Sequence, residues 1–439
     1  MNGTNGRADM TNPSQPGALT HMNSTASFRQ PHSSLERTPA DPPTLSICMV
    51  SDDFVPALTG VGFHVQQVGR ELARRGHRVS VITTRRQGEP EVEAWNGITV
   101  HRTFSIRQYG FDLALPGRRT IRRILDREMP DVIHYHWAGF LALRTRAVAG
   151  SRDIRHVLTY HMTVAHIAQP WFTKPFRGLI ARVYARFCHR MDSILAPSAN
   201  MAESIRQLGV RTPVQYISNP VSFAGAPPAP EARAGRFKLL YVGQLNPLKN
   251  LPFLLQAFQQ LVTARGVDAE LCIVGDGNLR GSLERTARDL GISERVTFTG
   301  FVQHEDLPGF YTGADVFVLP SVVEVQPMVA MEAMRFGKPV VITESIVSAR
   351  ELVDHGRNGY VVASNSPDDL VQRLEALARD PDLRLEMGRA SFTRSAAYAL
   401  EGVVSSIEGF YARIRRAQRA TDKNTIGEAL NEMNRMPAT

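Results

Sequence analysis

Short, almost unbroken apolar runs recur along this chain, separated mostly by stretches of helical periodicity, and the alternation falls into two blocks. In the first block the runs are LSICMVS (45–51), RVSVIT (78–83), DVIHYH (131–136), RHVLTY (155–160), SILAP (193–197) and VQYI (214–217). In the second they are FKLLYVG (237–243), AELCIVG (269–275), RVTFTG (295–300), DVFVLP (315–320) and PVVIT (339–343). Amphipathic patterns at 63–75, 198–208, 251–265 and 278–290 fill gaps between them. A strand that is apolar on both faces must be covered on both faces. Such strands alternating with helices therefore predict parallel sheets sandwiched by helices. Between the blocks, SFAGAPPAPEARAG (222–235) is rich in Pro, Ala and Gly and has no apolar period, as a linker does. The expectation is an α/β protein of two Rossmann-like domains facing across a cleft.

The length of 439 residues agrees, since it exceeds what one core usually holds. The pattern divides the chain into a polar leader over 1–43, expected to be disordered, a first domain over 44–222 and a linker over 223–236. A second domain follows over 237–398, then a helix over 399–418 and a polar tail over 419–439. No apolar stretch approaches the roughly 18 residues of a membrane span, and no charged-then-apolar signal pattern opens the chain. Cys48, Cys188 and Cys272 are scattered without CxxC spacing, which fits buried thiols in a reducing compartment. A cytoplasmic protein is expected.

Net charge is +9, and its distribution says more than its total. Residues 44–222 carry 24 Lys and Arg against 13 Asp and Glu, whereas residues 237–398 carry 16 against 20. The basic half should meet something anionic: nucleic acid, anionic lipid or a phosphorylated substrate. No stacking-aromatic platform or recognition motif accompanies the basic residues, so nucleic acid is not expected.

In doubly wound sheets, ligands bind at the carboxyl ends of strands, where loops lead into helices. After the first run, Gly60 and Gly62 precede a helix expected to begin near Phe63, whose backbone N–H groups could hold a phosphate. After 237–243, Lys249 stands just before another helix, where a cation opposes the macrodipole unless an anion is close. After 315–320, Glu324 precedes a helix whose first turn Pro327 suits, and Glu332 falls inside that helix among Met328, Met331 and Met334. A carboxylate in a buried helix needs donors, and a ribose diol offers two side by side. A structural ion pair for each glutamate is the alternative.

The run EVQPMVAMEAMRFGKPVV (324–341) resembles the hallmark of the family 4 glycosyltransferases: Glu, seven residues, Glu, then a Gly-x-Pro turn. ARRGHRVSVIT (73–83), PDVIHYH (130–136), APSANMAESIRQLGV (196–210), SNPV (218–221), IVGDGNLRGSL (273–283) and VTFTGFV (296–302) are similar to further family motifs in the same order. The resemblance covers residues 45 to 415 or nearly so. It implies the GT-B fold and retaining transfer of a hexosyl-type sugar from a nucleotide-diphosphate sugar, with UDP or GDP as the nucleotide and no metal. It further implies that Glu324 contacts hydroxyls of the donor sugar, Glu332 the nucleotide ribose, and Lys249 the diphosphate. His161 in TYHMT would face the reacting sugar from the first domain. Gly60 and Gly62 would lie against the diphosphate, and the backbone of Gln326, Pro327, Met328 and Val329 would line sugar and phosphate. The helix near 400–418 would cross back onto the first domain. An epimerase-like relative that transfers no sugar and a basic binding protein are the alternatives from other classes.

The chain departs from the family pattern at four places. Gln244 stands where the family usually has Arg, the first-loop glycines are spread into TGVG, NGVD reads NPVS, and EGFG reads EVQP. Gln244 keeps a donor but loses the charge and the fork, which shifts the diphosphate onto Lys249.

The acceptor is the open question. In TKPFRGLIARVYARFCHR (173–190), Phe176, Ile180, Val183 and Phe187 share one predicted helix face, with Arg182, Arg186 and Arg190 along its flank and Arg177 beside them. GRRTIRRILDRE (117–128) adds Arg118, Arg119, Arg122 and Arg123. Aromatics beside arginines suit an interfacial helix on an anionic membrane, with a lipid acceptor; a soluble sugar, polyol phosphate or glycan is the alternative. His134 and His136 sit on one strand face, and with His161 and His166 invite a metal site. No Cys or carboxylate joins them at a ligand spacing, and no metal is expected.

Overall fold

The computed structural model describes residues 44–56, 59–108, 111–150, 152–163, 174–223 and 235–419. The leader over 1–43, most of the linker over 223–236, His166 and nearly all of the tail over 419–439 lie outside them.

The first sheet has nine strands, and all but two run parallel to their neighbours. They are β1 (Ser46–Val50), β2 (Arg78–Arg85), β3 (Val92–Trp95), β4 (Ile98–Gln108), β5 (Phe111–Ala114), β6 (Val132–Tyr135), β7 (Arg155–Thr159), β8 (Ser193–Ala196) and β9 (Val214–Tyr216). Their order is β3-β4-β2-β1-β6-β7-β8-β9, with β5 paired to β4. The second sheet has β10 (Phe237–Val242), β11 (Ala269–Val274), β12 (Val296–Gly300), β13 (Val316–Leu319), β14 (Val340–Thr343) and β15 (Gly359–Val362). Its order is β12-β11-β10-β13-β14-β15, and every pair is parallel.

Each predicted strand is present, and four more were not anticipated: β3, β4, β5 and β15. The hairpin between β3 and β4 turns on Asn96 (φ 46) and Gly97 (φ 81). Asn-Gly with both residues left-handed is the signature of a tight hairpin turn, and AWNGITV carried that signal.

Two apolar layers cover the first sheet. On one face lie α1 (Gly60–Arg74) and, far along the chain, α13 (Leu400–Arg419), whose Val404, Ile407, Phe410 and Tyr411 pack with Val65 and Val68. On the other lie α2 (Arg118–Glu128), α3 (Phe140–Ala149), α4 (Arg177–Cys188) and α5 (Ala199–Gln207). The second sheet is enclosed by α6 (Leu251–Thr263), α7 (Arg280–Asp289), α8 (Leu307–Gly313), α9 (Met328–Arg335), α10 (Ala349–Leu352), α11 (Pro367–Arg379) and α12 (Pro381–Ser395). The last helix thus belongs to the first domain's core, fastened by Arg75 to Glu408 (3.0 Å) and Arg415 to Asp131 (2.6 Å).

Cys48 and Cys188 are fully buried and Cys272 half-buried, all as free thiols. Burial pushes the Cys48 and Cys188 thiols up to about 12, so neither is a nucleophile at neutral pH.

Candidate active site

The carboxyl ends of β10 and β13 carry the second domain's chemistry. After β10, the Asn246 side chain accepts from Leu248 N–H (3.0 Å) and caps a 3-10 turn over Pro247–Lys249. Asn250 then takes a left-handed conformation (φ 52) and starts α6. After β13, Val322 N–H donates to the Leu248 carbonyl (2.9 Å), so the two loops are laced together. That lacing sets the Lys249 ammonium against the Glu324 carboxylate, and the two form an ion pair. Both side chains remain partly open, at 18% and 22% exposure. Gln244 is exposed; its side-chain Oε1 accepts from Asn246 Nδ2 (3.3 Å) and its carbonyl from Tyr241 Oη (2.9 Å).

Beyond Glu324 the chain enters α9. Pro327 is its N-cap rather than a first-turn residue, and Met328 and Val329 form the first turn. The N–H groups there have no partner within the helix, so they stay available to an anion. The Gln326 side chain is buried and turned to the first domain's exit: Oε1 accepts from Asn219 N–H (2.8 Å) and Nε2 donates to Ser218 Oγ (2.9 Å). Side-chain chemistry at Gln326 is thus structural, and its backbone alone faces the helix start.

Glu332 is 2% exposed, and both its oxygens are engaged by the protein. Tyr311 Oη donates to Oε2 (2.7 Å), and His304 Nε2 lies 3.1 Å from Oε1. Burial and the adjoining carboxylate hold the Tyr311 phenol far above its ordinary range, so it stays a donor. His304 is in turn packed between Phe63 of α1 and Phe223, with ring centres at 4.1 and 4.4 Å. The carboxylate expected to meet a ribose diol thus has protein donors in its place. Tyr311, His304, Phe63 and Phe223 were not singled out in the sequence, because nothing local marks them as neighbours of Glu332.

Across the cleft, α1 begins at Gly60, not near Phe63, because Thr59 caps it: Thr59 Oγ1 accepts from Gly62 N–H (3.0 Å). Gly60 has open space where a Cβ would be. Three histidines gather at the carboxyl side of this sheet. His64 comes from the N-terminal part of α1, His136 follows β6, and His161 follows β7. His136 Nδ1 is 3.2 Å from His161 Nε2, and the His64 ring centre is 4.6 Å from that of His161. Burial pushes His64 down to about 4, with the Asn219 carboxamide alongside opposing the shift. Burial, reinforced by the neighbouring imidazoles, holds His136 and His161 well below the ordinary histidine range. All three are neutral at physiological pH.

His134 takes no part in that group. Its Nδ1 is bonded to Tyr411 Oη and its Nε2 to Thr159 Oγ1, both at 2.6 Å. The His134–His136 chelate that the strand spacing suggested is therefore ruled out, since His134 has no free nitrogen. Asp52, after β1, lies beside Trp137: Gly139 leaves no room for a Cβ between the indole nitrogen and the carboxylate. Desolvation, helped by Asp53, raises the Asp52 carboxyl to about 7.

The predicted apolar face of α4 divides in two. Phe187 is buried with Tyr184 and Cys188, and Ile180 is half-buried, while Phe176, Leu179 and Val183 are 57%, 60% and 45% exposed. Arg177, Arg182, Arg186 and Arg190 are exposed, as are Arg118, Arg119, Arg122 and Arg123 on α2. None of the eight forms an ion pair with another described residue.

The Glycosyltransferase Family 4 model matches residues 58–224, and the model for Glycosyl transferases group 1 matches residues 226–394. Between them they take in all of the second sheet, all of the first but β1, and every residue of the Lys249–Glu324 and three-histidine groups. The chain belongs to the family 4 glycosyltransferases. It is similar to the glycogen synthase of Mycobacterium tuberculosis, 28% identical over 404 residues that cover 85% of this chain and 96% of the relative. It is also similar to the alpha-monoglucosyldiacylglycerol synthase of Streptococcus pneumoniae, 24% identical over 376 residues, 77% of this chain and 80% of the relative. Among solved structures, Anabaena HepE in complex with UDP-glucose superposes with a TM-score of 0.69 at 19% identity, over 84% of this chain and 99% of that one. This family 4 glycosyltransferase therefore has the GT-B fold.

Proposed function

We propose that the protein is a retaining hexosyltransferase that draws on a nucleotide-diphosphate sugar, UDP- or GDP-linked, without a metal ion in the donor site. The Lys249–Glu324 ion pair at the start of α9 carries this reading. An incoming diphosphate competes for the Lys249 ammonium, which frees Glu324 to accept hydrogen bonds from sugar hydroxyls. Lys249 and the first N–H groups of α9 then stabilise the charge that develops on the leaving diphosphate, where one charge-assisted donor is worth roughly 2.7–4 kcal/mol. His161, neutral, faces the sugar as an acceptor from the other domain. The UDP-glucose held by Anabaena HepE supports UDP over other nucleotides. For Glu332 to bind a ribose, His304 must turn aside, so donor entry is coupled to movement of Phe63 and Phe223.

A panel of UDP-, GDP-, ADP- and dTDP-sugars tests this by thermal shift on wild type and Lys249→Ala. At ~100 times its dissociation constant, the true donor should stabilise the folded protein by about 2.7 kcal/mol, and Lys249→Ala should abolish the shift. No shift with any of the four would end the donor assignment.

For the acceptor we infer a lipid at an anionic membrane surface. The exposed stripe of Phe176, Leu179 and Val183 at α4, flanked by arginines that form no ion pair with another described residue, supports it, as does the lipid product named for the Streptococcus pneumoniae relative. No described helix is long and apolar enough to cross a membrane, so attachment would be peripheral. The Mycobacterium tuberculosis relative favours a soluble glycan instead. Sedimentation with anionic vesicles at low salt separates the two, and an absence of co-sedimentation would leave the glycan.

A further inference from the structure

We propose that His64, His136 and His161 form a binding site for a single transition-metal cation of the Zn²⁺ or Ni²⁺ class. One ligand atom from each imidazole lies within 4.8 Å of the other two. His136 Nδ1 and His161 Nε2 share a hydrogen bond at 3.2 Å, close to the edge of about 3.3 Å expected between two nitrogens each 2.0–2.1 Å from a tetrahedral ion, and the cation would displace the proton between them as that ring changes tautomer. His64, from the N-terminal part of α1, completes the set.

The chemistry of these side chains points the same way. Neither ring nitrogen of His64 makes a hydrogen bond of ordinary geometry among the described residues, although the ring is more than nine-tenths buried, with the Asn219 carboxamide alongside. A buried imidazole without a partner is destabilising, and a cation that takes its lone pair removes that penalty. An all-imidazole set suits Zn²⁺, Ni²⁺ and Cu²⁺ and disfavours Mg²⁺ and Ca²⁺. His134 packs against His136 with ring centres 4.2 Å apart and planes tilted by 39°, and it is itself fixed by Tyr411 and Thr159. His161 is partly exposed, so a fourth position is open to water from the cleft.

The sequence pointed away from this site because His64 is distant from the other two and no Cys or carboxylate accompanies them. A bound cation would occupy the His161 lone pair, so transfer should stop; that consequence rests on the transferase reading, whereas binding does not.

The test is a Co²⁺ titration of the full chain without an affinity tag, read by the visible absorption of low-symmetry Co²⁺, followed by Zn²⁺ competition and isothermal titration with Zn²⁺ alone. One saturable site is expected, weakened roughly tenfold or more in His64→Gln and in His161→Asn and unchanged in His355→Gln. Far-ultraviolet circular dichroism confirms that each variant is folded. Absence of a saturable site in wild type, or equal affinity in both folded variants, would overturn the proposal. The donor thermal shift is measured without added metal, so its failure and this one are read separately.

Discussion

Asp52 shows how a single partly buried group sets a measurable pH dependence. Its folded carboxyl titrates at about 7 against 3.8 for the unperturbed group. Between those values the unfolded chain has released the proton while the folded chain keeps it, so stability falls as pH rises through that window and the loss is complete above it. Asp52→Asn removes the ionisable group. The variant should match wild type in urea denaturation near pH 4 and exceed it near pH 8 by an amount on the order of 1–3 kcal/mol. Equal stability at both pH values would mean that the carboxylate is well solvated. At this scale the sequence was readable where motif and geometry coincide: Lys249 and Glu324 were both marked by their place before a helix, and they meet. Glu332 was marked as a buried carboxylate that needs donors, but Tyr311 and His304 reach it from elements packed by the tertiary fold. No periodicity encodes such a meeting.

Among the elements, α13 illustrates a different kind of legibility. Its amphipathic pattern foretold a helix, and only the family resemblance said which domain it would join. The structure supplies the physical reason: Tyr411 Oη satisfies His134 Nδ1 at 2.6 Å in a region where both side chains are inaccessible to water. Tyr411→Phe keeps the ring and removes the partner, leaving a buried imidazole nitrogen alone. That should destabilise the protein by about 1–3 kcal/mol, with the loss visible as a lower thermal midpoint. A neutral substitution would mean that water replaces the hydroxyl. The β3–β4 hairpin is the converse case, since Asn96-Gly97 announced it and the strands were still overlooked. β3 is largely exposed, short and interrupted by the charged Glu93, so its apolar signal is weak. The face of α4 was misassigned for a related reason. Helical spacing identifies residues that share a side, but Phe176 and Phe187 lie far enough apart along the axis for the sheet to cover only one.

For the molecule as a whole, the two domains meet through both polar links and ring packing among the described residues, and one polar link has the form of a latch. Glu351 on α10 accepts from the backbone N–H groups of Ala199 (2.9 Å) and Asn200 (2.8 Å), the first residues of α5 in the other domain. Asn200 Nδ2 adds a bond to the Val347 carbonyl (3.1 Å), and Ser198 Oγ caps the next N–H of the same helix, that of Met201 (3.0 Å). A carboxylate at a helix N-terminus is stabilised by the macrodipole and by two otherwise unpaired donors, worth about 1 kcal/mol at an exposed site. Closed and open arrangements of a two-domain cleft differ by little more than that, so one such link can shift their populations several-fold. Glu351→Ala should widen the distribution of inter-domain distances measured by paired spin labels in the donor-free protein, by roughly fivefold in the open-to-closed ratio. High salt should produce part of the same change in wild type, because the attraction is screened. Saturating donor should restore the closed form in the variant, since its contacts span both domains. Distance distributions that coincide for wild type and variant at low salt would show that apolar contacts, such as Val325 within the first domain's core, hold the cleft instead.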